Sequence, residues 1–395
     1  MKKKKDIKSI KRREFLKKST LASISLPLIF TKSNAEISTS TTGIQKIWRN
    51  KQSEMKYRQL GRTGYMISEV VCGGDPVSPD TYKQVEMAIE MGLNYLDTAP
   101  AYGRGNSEKG YGMIVNSSSM REKVFINTKI SNFTDVRNNM YKEIFSSLPS
   151  DKQNKILEKA KKMRLDRGVD KPGYFYVYWP GQERSMDPSY LANAMMADYG
   201  HKVDGSAKFK EFIFESIEGS LQRVGIDYFD LAMCPHGANC PEEVNIPEAF
   251  EAFDELKKQG KVRFMGVSSH NDPAGVLKAA VDTGKYDAAM VAYNFLNDGY
   301  LDGAIRHAYD NNVGVIAMKV AMSVATQHER LKPLPAWRSE KLNQIVPGDM
   351  KTPVKAYLWA LQNPRISAVI SNLWDENYVR ENLSVVGKKI ELQRG

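Results

Sequence analysis

A chain of 395 residues with a formal net charge of +11 is long enough for one large barrel or two ordinary domains. The charge is local: residues 1–35 hold eleven Lys/Arg against two acidic residues, and the rest holds 46 basic against 44 acidic, a net of +2. A near-neutral body excludes a nucleic-acid partner as the meaning of the charge, and three cysteines exclude a disulfide framework.

The basic start reads as an export signal. Lys2 to Lys5, Lys8 and Lys11-Arg12-Arg13-Glu14-Phe15-Leu16-Lys17 form a charged n-region, Leu21 to Phe30 an apolar h-region, and Ser33-Asn34-Ala35 a small-x-small cleavage site. About ten apolar residues are too few to span a bilayer, so no stable membrane anchor is expected. Arg12-Arg13-x-Phe15-Leu16-Lys17 resembles the twin-arginine signal, which exports folded proteins. The expectation is a periplasmic protein, with residues 1–35 as signal peptide and the twin-arginine export machinery as partner. No Cys follows the apolar run, which argues against a lipoprotein anchor. Residues 36–55 are polar and read as a linker.

Leu60-Gly61-Arg62-Thr63-Gly64 reads as a hairpin turn capping one end of a barrel. From residue 69 short apolar runs alternate with amphipathic segments. The runs are 69–73, 94–97, 124–128, 229–233, 262–267, 288–292, 313–317 and 367–370. They are short and rich in Val, Ile and Leu, as strands buried on both faces are. Between them, 83–90 sets Val85, Ala88 and Ile89 on one helical face, and 210–223 spaces Phe214, Ile217 and Leu221 as a helix does. Phe250, Phe253 and Leu256 repeat the pattern. Eight strand–helix units predict an α/β fold, a (β/α)8 TIM barrel over residues 56–387 with 388–395 as a tail. The rival, a doubly wound sheet, calls for a Gly-rich first turn, and no G-x-G-x-x-G follows the first strand.

One segment breaks the rhythm. The third strand ends near Lys129 and its helix starts near Lys208, which leaves a large insertion, about 132–208, between strand 3 and helix 3. It contains a Lys-rich helical stretch, 152–165, and the run Gly173-Tyr174-Phe175-Tyr176-Val177-Tyr178-Trp179-Pro180-Gly181. As a strand, that run would set Tyr174, Tyr176 and Tyr178 on one face and Phe175, Val177 and Trp179 on the other. Two readings stay open: a packed mini-core, or an aromatic wall over the barrel mouth for a ring-shaped substrate such as a sugar. Cys72 reads as core, and the spacing of Cys234 and Cys240 does not say whether they pair. Three Cys with scattered His make no zinc pattern, and no metal is expected.

Asp97, Tyr102 and Lys129 fall at the ends of two predicted neighbouring strands. A free Tyr has a pKa of about 10 and a Lys about 10.4, too high for easy proton transfer near neutrality. A Lys ammonium beside the phenol would lower the Tyr pKa, and an Asp beside the Lys would keep it charged and oriented.

Met55-Lys56-Tyr57-Arg58-Gln59-Leu60-Gly61-Arg62-Thr63-Gly64, Gly92-Leu93-Asn94-Tyr95-Leu96-Asp97-Thr98-Ala99-Pro100-Ala101-Tyr102-Gly103, Ser107-Glu108, Thr128-Lys129 and Gly260-Lys261-Val262-Arg263-Phe264-Met265-Gly266-Val267-Ser268 together resemble the aldo/keto reductase family. The resemblance implies a catalytic set of Asp97, Tyr102, Lys129 and His236, with Tyr102 as general acid/base. It also implies NADP, or NAD, as hydride carrier and a small-molecule carbonyl or alcohol as substrate. His236 stands one residue later than the family's spacing, with Pro235 in the expected place, and a bulge at the strand end would absorb the shift. Cofactor contacts are expected from Ser268 and Ser269, from Met290 where the family has Gln, and from Ser371, Asn372 and Asn382 near the adenosine phosphates. Glu381 also matches there, and Arg380 is the basic residue in reach of a 2′-phosphate. Neither Met318 nor Lys319 is the aromatic that commonly stacks under the nicotinamide. Export removes the protein from the cytoplasmic nicotinamide pool, so a tightly held cofactor is expected, with the insertion as its lid. Two alternatives stand beside a reductase. One is a binding or regulatory barrel with vestigial catalysis; the other is a sugar isomerase or lyase using a bound nicotinamide.

Overall fold

The computed structural model describes residues 44–203 and 205–393. The expected signal peptide and residues 36–43 of the expected linker lie outside the described residues. Three short strands come first: β1 (Ile47–Trp48), β2 (Tyr57–Gln59) and β3 (Tyr65–Ser68). Eight more close a parallel barrel: β4 (Val70–Gly73), β5 (Tyr95–Asp97), β6 (Phe125–Lys129), β7 (Phe229–Met233), β8 (Val262–Ser269), β9 (Ala288–Ala292), β10 (Gly314–Met318) and β11 (Ala368–Asn372), with β11 pairing back to β4. The fold is a (β/α)8 barrel.

Residues of each strand alternate between two cores, as the pleat requires. Val71, Tyr95, Phe125, Leu231, Met233, Met290, Ile316 and Met318 fill the barrel. Cys72, Leu96, Ile126, Ala232, Val267, Val291 and Val315 face outward and pack under the helices. The first helix, α1 (Lys83–Glu90), turns Val85, Ala88 and Ile89 onto that outer face, and all three are fully buried. Truncating Ile89 to Ala costs about 2–5 kcal/mol.

β2 and β3 form the expected hairpin, paired antiparallel from Tyr57–Ser68 to Gln59–Met66. Gly61 in its turn has φ +49°, and a Cβ there would collide with the backbone of Gly314. Leu60 and Ile67 plug the floor of the barrel. Residues 44–55, expected as linker, instead belong to this floor. β1 pairs with β3, and Arg49 donates to Asp230 at 3.0 Å and to the Val124 carbonyl at 2.6 Å. Asp230 is fully buried and also faces Arg121 and Arg263 at 2.9 and 3.3 Å. A polar stretch hides a role of this kind because its partners lie far along the chain.

The helices after β5 and before β7 are α2 (Asn106–Val115), α3 (Ser118–Lys123), α4 (Phe133–Ser146), α5 (Ser150–Arg167), α6 (Asp187–Tyr199) and α7 (Ser206–Val224). α4 to α6 occupy the insertion and share a third core of Tyr141, Ile156, Tyr174, Met186, Tyr190 and Met195. The run 173–181 is not a strand. Tyr174 N donates to Lys171 O at 3.1 Å and Gln182 N to Trp179 O at 3.3 Å, both within turns. A closed barrel offers no free edge for another strand, so these backbone groups pair locally. The remaining helices are α8 (Pro247–Lys258), α9 (Pro273–Thr283), α10 (Asp298–Asp310), α11 (Ala336–Ile345), α12 (Thr352–Leu361) and α13 (Glu376–Leu383). No helix among the described residues is long and apolar enough to cross a membrane.

Candidate active site

Parallel pairing sets Asp97 at the C-terminal end of β5 against Asn127 of β6, two residues before Lys129. Side chains two apart on a strand share a face, so Lys129 and Asn127 both reach Asp97. Lys129 Nζ lies 2.6 Å from each Asp97 carboxylate oxygen and 3.0 Å from the Thr98 carbonyl, and Asn127 Nδ2 donates to Asp97 Oδ1 at 2.5 Å. Asp97 and Lys129 are 1% exposed. Burial pushes the Asp97 carboxyl up and the Lys129 ammonium down, and their mutual contact opposes both.

Tyr102 opens a single helical turn, 102–105, in the loop after β5. Lys129 Nζ sits 4.6 Å from the centre of its ring, inside cation–π range. His236 comes from the loop after β7, its ring edge-on to Tyr102 at 5.8 Å. His236 Nδ1 is 2.9 Å from Ser131 Oγ, which follows β6. The expected bulge before His236 does not occur. β7 keeps one register with β8 through Met233–Gly266, and Cys234 N still donates to Gly266 O at 2.8 Å. The extra residue is taken up in the loop, which has no ladder to disturb.

The Tyr102 phenol does not behave as expected beside a lysine. Burial, then the carboxylates of Asp97 and Asp75, hold its pKa well above the ordinary value. The Lys129 charge is neutralised by Asp97, so it does not pull the phenol down. The result is a neutral, donating phenol. His236 is pushed down to about 3 by burial, then by the charges of Lys129 and Lys319, which leaves a neutral imidazole.

These groups open on a cavity of about 1020 Å³, at the upper end of the range for small-molecule sites. Tyr102, His236, His270, Trp179, Lys319, Asn372, Trp374, Tyr378 and Asn382 all line it. Met290 and Met318 also line it. The size, the apolar lining and the exposed faces of Trp374 and Tyr378 fit a dinucleotide. The other sequence-predicted contacts sit differently. Ser268 and Ser269 are buried behind the His236 loop, Ser268 Oγ accepting from Gly237 N at 2.9 Å and Ser269 Oγ donating to Ala238 O at 2.8 Å. Ser371 Oγ accepts from Asn382 Nδ2 at 2.8 Å. Met290 carries no strong donor or acceptor for a carboxamide. Near Asn382, Asp375 caps α13 by accepting from Asn377 N and Tyr378 N at 2.8 and 3.0 Å. Arg380 is exposed and faces Glu376 at 3.7 Å.

The insertion packs most of its aromatic run and sets one residue of it on the cavity. Tyr174 and Tyr178 are buried in packing, Tyr174 donating to Asp272 and Tyr178 Oη accepting from Asn294 Nδ2 at 3.0 Å. Trp179 lines the cavity. Cys72, Cys234 and Cys240 are free and buried. His270 was not expected in the site, and Lys319 was considered only as a residue standing where the family has a nicotinamide-stacking aromatic. Their signal was positional: each directly follows a barrel strand at its C-terminal end, where such folds place function.

The model of the Aldo/keto reductase family matches residues 73–200 and 190–393. An uncharacterized oxidoreductase of Bacillus subtilis is 26% identical over 357 residues, covering 85% of this chain and 92% of that protein. The L-galactose dehydrogenase of Arabidopsis thaliana is 23% identical, covering 85% and 89%. Among solved structures, an aldo-keto reductase from Bacillus halodurans in its holo form superposes with a TM-score of 0.55 at 20% identity, over 85% of this chain and 92% of that one. A Klebsiella pneumoniae aldo-keto reductase in complex with NADPH gives 0.53 at 16% identity, over 85% and 91%. At these identities the structural likeness speaks to the fold.

Proposed function

The chain belongs to the aldo/keto reductase family of oxidoreductases, and on that premise we propose that it interconverts a carbonyl and an alcohol with Tyr102 as the proton donor and acceptor. The observation that carries this reading is the convergence of Asp97, Lys129, Tyr102 and His236 at one cavity. Its neutral phenol suits protonation of a carbonyl oxygen. Asp97 holds the Lys129 ammonium 4.6 Å from the ring centre, where cation–π attraction positions the phenol. His236 orients the carbonyl oxygen as a neutral hydrogen-bond donor, with Ser131 fixing the ring. The nicotinamide dinucleotide, when bound, supplies or accepts the hydride. Asn372, Asn382, Trp374 and Tyr378 would hold its adenosine part.

A K. pneumoniae relative of the fold binds NADPH, and an Escherichia coli relative 24% identical to this chain is named an NADH-specific methylglyoxal reductase. Replacing Tyr102 with Phe removes the proton donor. Its turnover of a carbonyl substrate with NADH or NADPH is expected to fall at least about 100-fold, with an unchanged circular dichroism spectrum. Full activity in Tyr102→Phe would point instead to a binding protein.

The notched basic start supports export by the twin-arginine route and a periplasmic location. In that compartment the cofactor is held tightly and is oxidised and reduced in place by two substrates in turn. Exported protein, purified and dialysed, is expected to release nicotinamide dinucleotide on denaturation, read by mass spectrometry. Empty protein that binds NADH only in the high micromolar range would end this part of the reading.

A further inference from the structure

Lys319 is the one Lys or Arg among the residues described as lining the cavity. It directly follows β10, with φ +60°, a left-handed backbone that aims a non-glycine side chain at some local cost. Its ammonium lies 5.5 Å from the Trp179 ring centre and 5.9 Å from that of Tyr178. Among the described residues no carboxylate comes within ion-pair distance of it. The other cation nearby, Lys129, is already neutralised by Asp97 at 2.6 Å. Asp75 attracts Lys319 only at longer range, and its carboxylate accepts from Gln327 at 3.2 Å. Beside Lys319, the half-buried His270 stands edge-on to Trp179 at 5.0 Å, its Nδ1 buried without a partner.

A half-buried ammonium without a counter-ion is costly unless a ligand supplies one. Its place in the cavity decides which part of a ligand. Lys319 and His270 both stand against Trp179, and the Lys319 charge is felt by His236 and His270, so it sits with the reacting groups. The walls beside it are aromatic, with Trp179 contributed by the insertion.

We propose that Lys319 is the anion-recognition residue of the substrate site, pairing with the carboxylate of a ring-bearing carbonyl or alcohol substrate that packs on Trp179. This rests on the reading of the cavity as the substrate site, and it narrows the substrate class to acidic ring compounds. The site then discriminates by charge: an uncharged analogue leaves the ammonium unpaired, whereas an acid neutralises it.

The test is titration calorimetry with benzoate and benzamide, matched in ring and differing in charge, on the full-length protein. Wild type is expected to bind benzoate at least about tenfold more tightly than benzamide. Lys319→Met is expected to lose that preference, and Lys319→Arg to keep most of it, with thermal melting showing both variants folded. Equal binding of the two probes by wild type, or an undiminished preference in Lys319→Met, overturns the proposal. ADP-ribose is titrated in parallel. If Lys319→Met weakens ADP-ribose and spares benzoate, Lys319 serves the dinucleotide and the proposal fails. None of these readouts needs turnover, so failure here is distinct from failure of the reductase reading, which Tyr102→Phe tests.

Discussion

At the scale of residues, the site is built from neutral donors around one neutralised ion pair. The Asp97–Lys129 contact at 2.6 Å replaces the simple scheme in which a free lysine acidifies a tyrosine. His236 shows the same control by burial. Its folded pKa of about 3 lies below the unfolded value of about 6.5. The unfolded chain therefore binds the proton first as pH falls. The stability that depends on neutral His236 is fully present above about pH 6.5 and is lost as pH falls toward 3. His270, also held well below its ordinary value, acts with the same sign. The melting temperature is expected to drop between pH 6.5 and 4, and less steeply in His236→Gln. Parallel slopes in the two proteins would show that His236 titrates alike in the folded and unfolded chain.

At the scale of elements, the insertion is a small helical layer pinned to the loops after the barrel strands. α5 carries its own packing through Ile156 and Ala160, and Tyr174 joins that core to Asp272, the N-cap of α9. Removing the hydroxyl leaves a buried carboxylate with fewer donors, at a cost of about 1–3 kcal/mol. Asp272 Oδ2 already lacks a partner, which makes the remaining donors matter more. Tyr174→Phe is expected to raise amide hydrogen exchange in α5 and α6 and at the start of α9. Exchange in β5 to β7 is expected to stay as in the wild type. Equal exchange everywhere would mean that the aromatic packing alone holds the insertion. Trp179 ties this element to function, because loosening the layer moves one wall of the cavity.

At the scale of the whole molecule, the charge map and the fold tell one story. The body is near neutral and the excess charge sits in residues 1–35. The proposed twin-arginine route requires the paired arginines. Exchange of Arg12 and Arg13 for Lys is expected to leave the protein in the cytoplasm in cell fractionation, with unchanged activity in extracts. A periplasmic fraction equal to wild type would reject that route. Much of the fold was legible in the chain itself. The eight strands, the floor hairpin and the residues Asp97, Tyr102 and Lys129 follow from local pattern, since strand and helix periods are properties of the backbone within a few residues. What only the tertiary structure decided depends on partners far apart. Ser131 and His236 meet across 105 positions, and Arg49 and Asp230 across 181. The turning of Ser268 and Ser269 behind a loop, the division of one aromatic run between a core and a cavity wall, and the isolation of Lys319 belong here too. Each is a matter of which charges are desolvated together and which hydrogen bonds are already taken, and no local period encodes that.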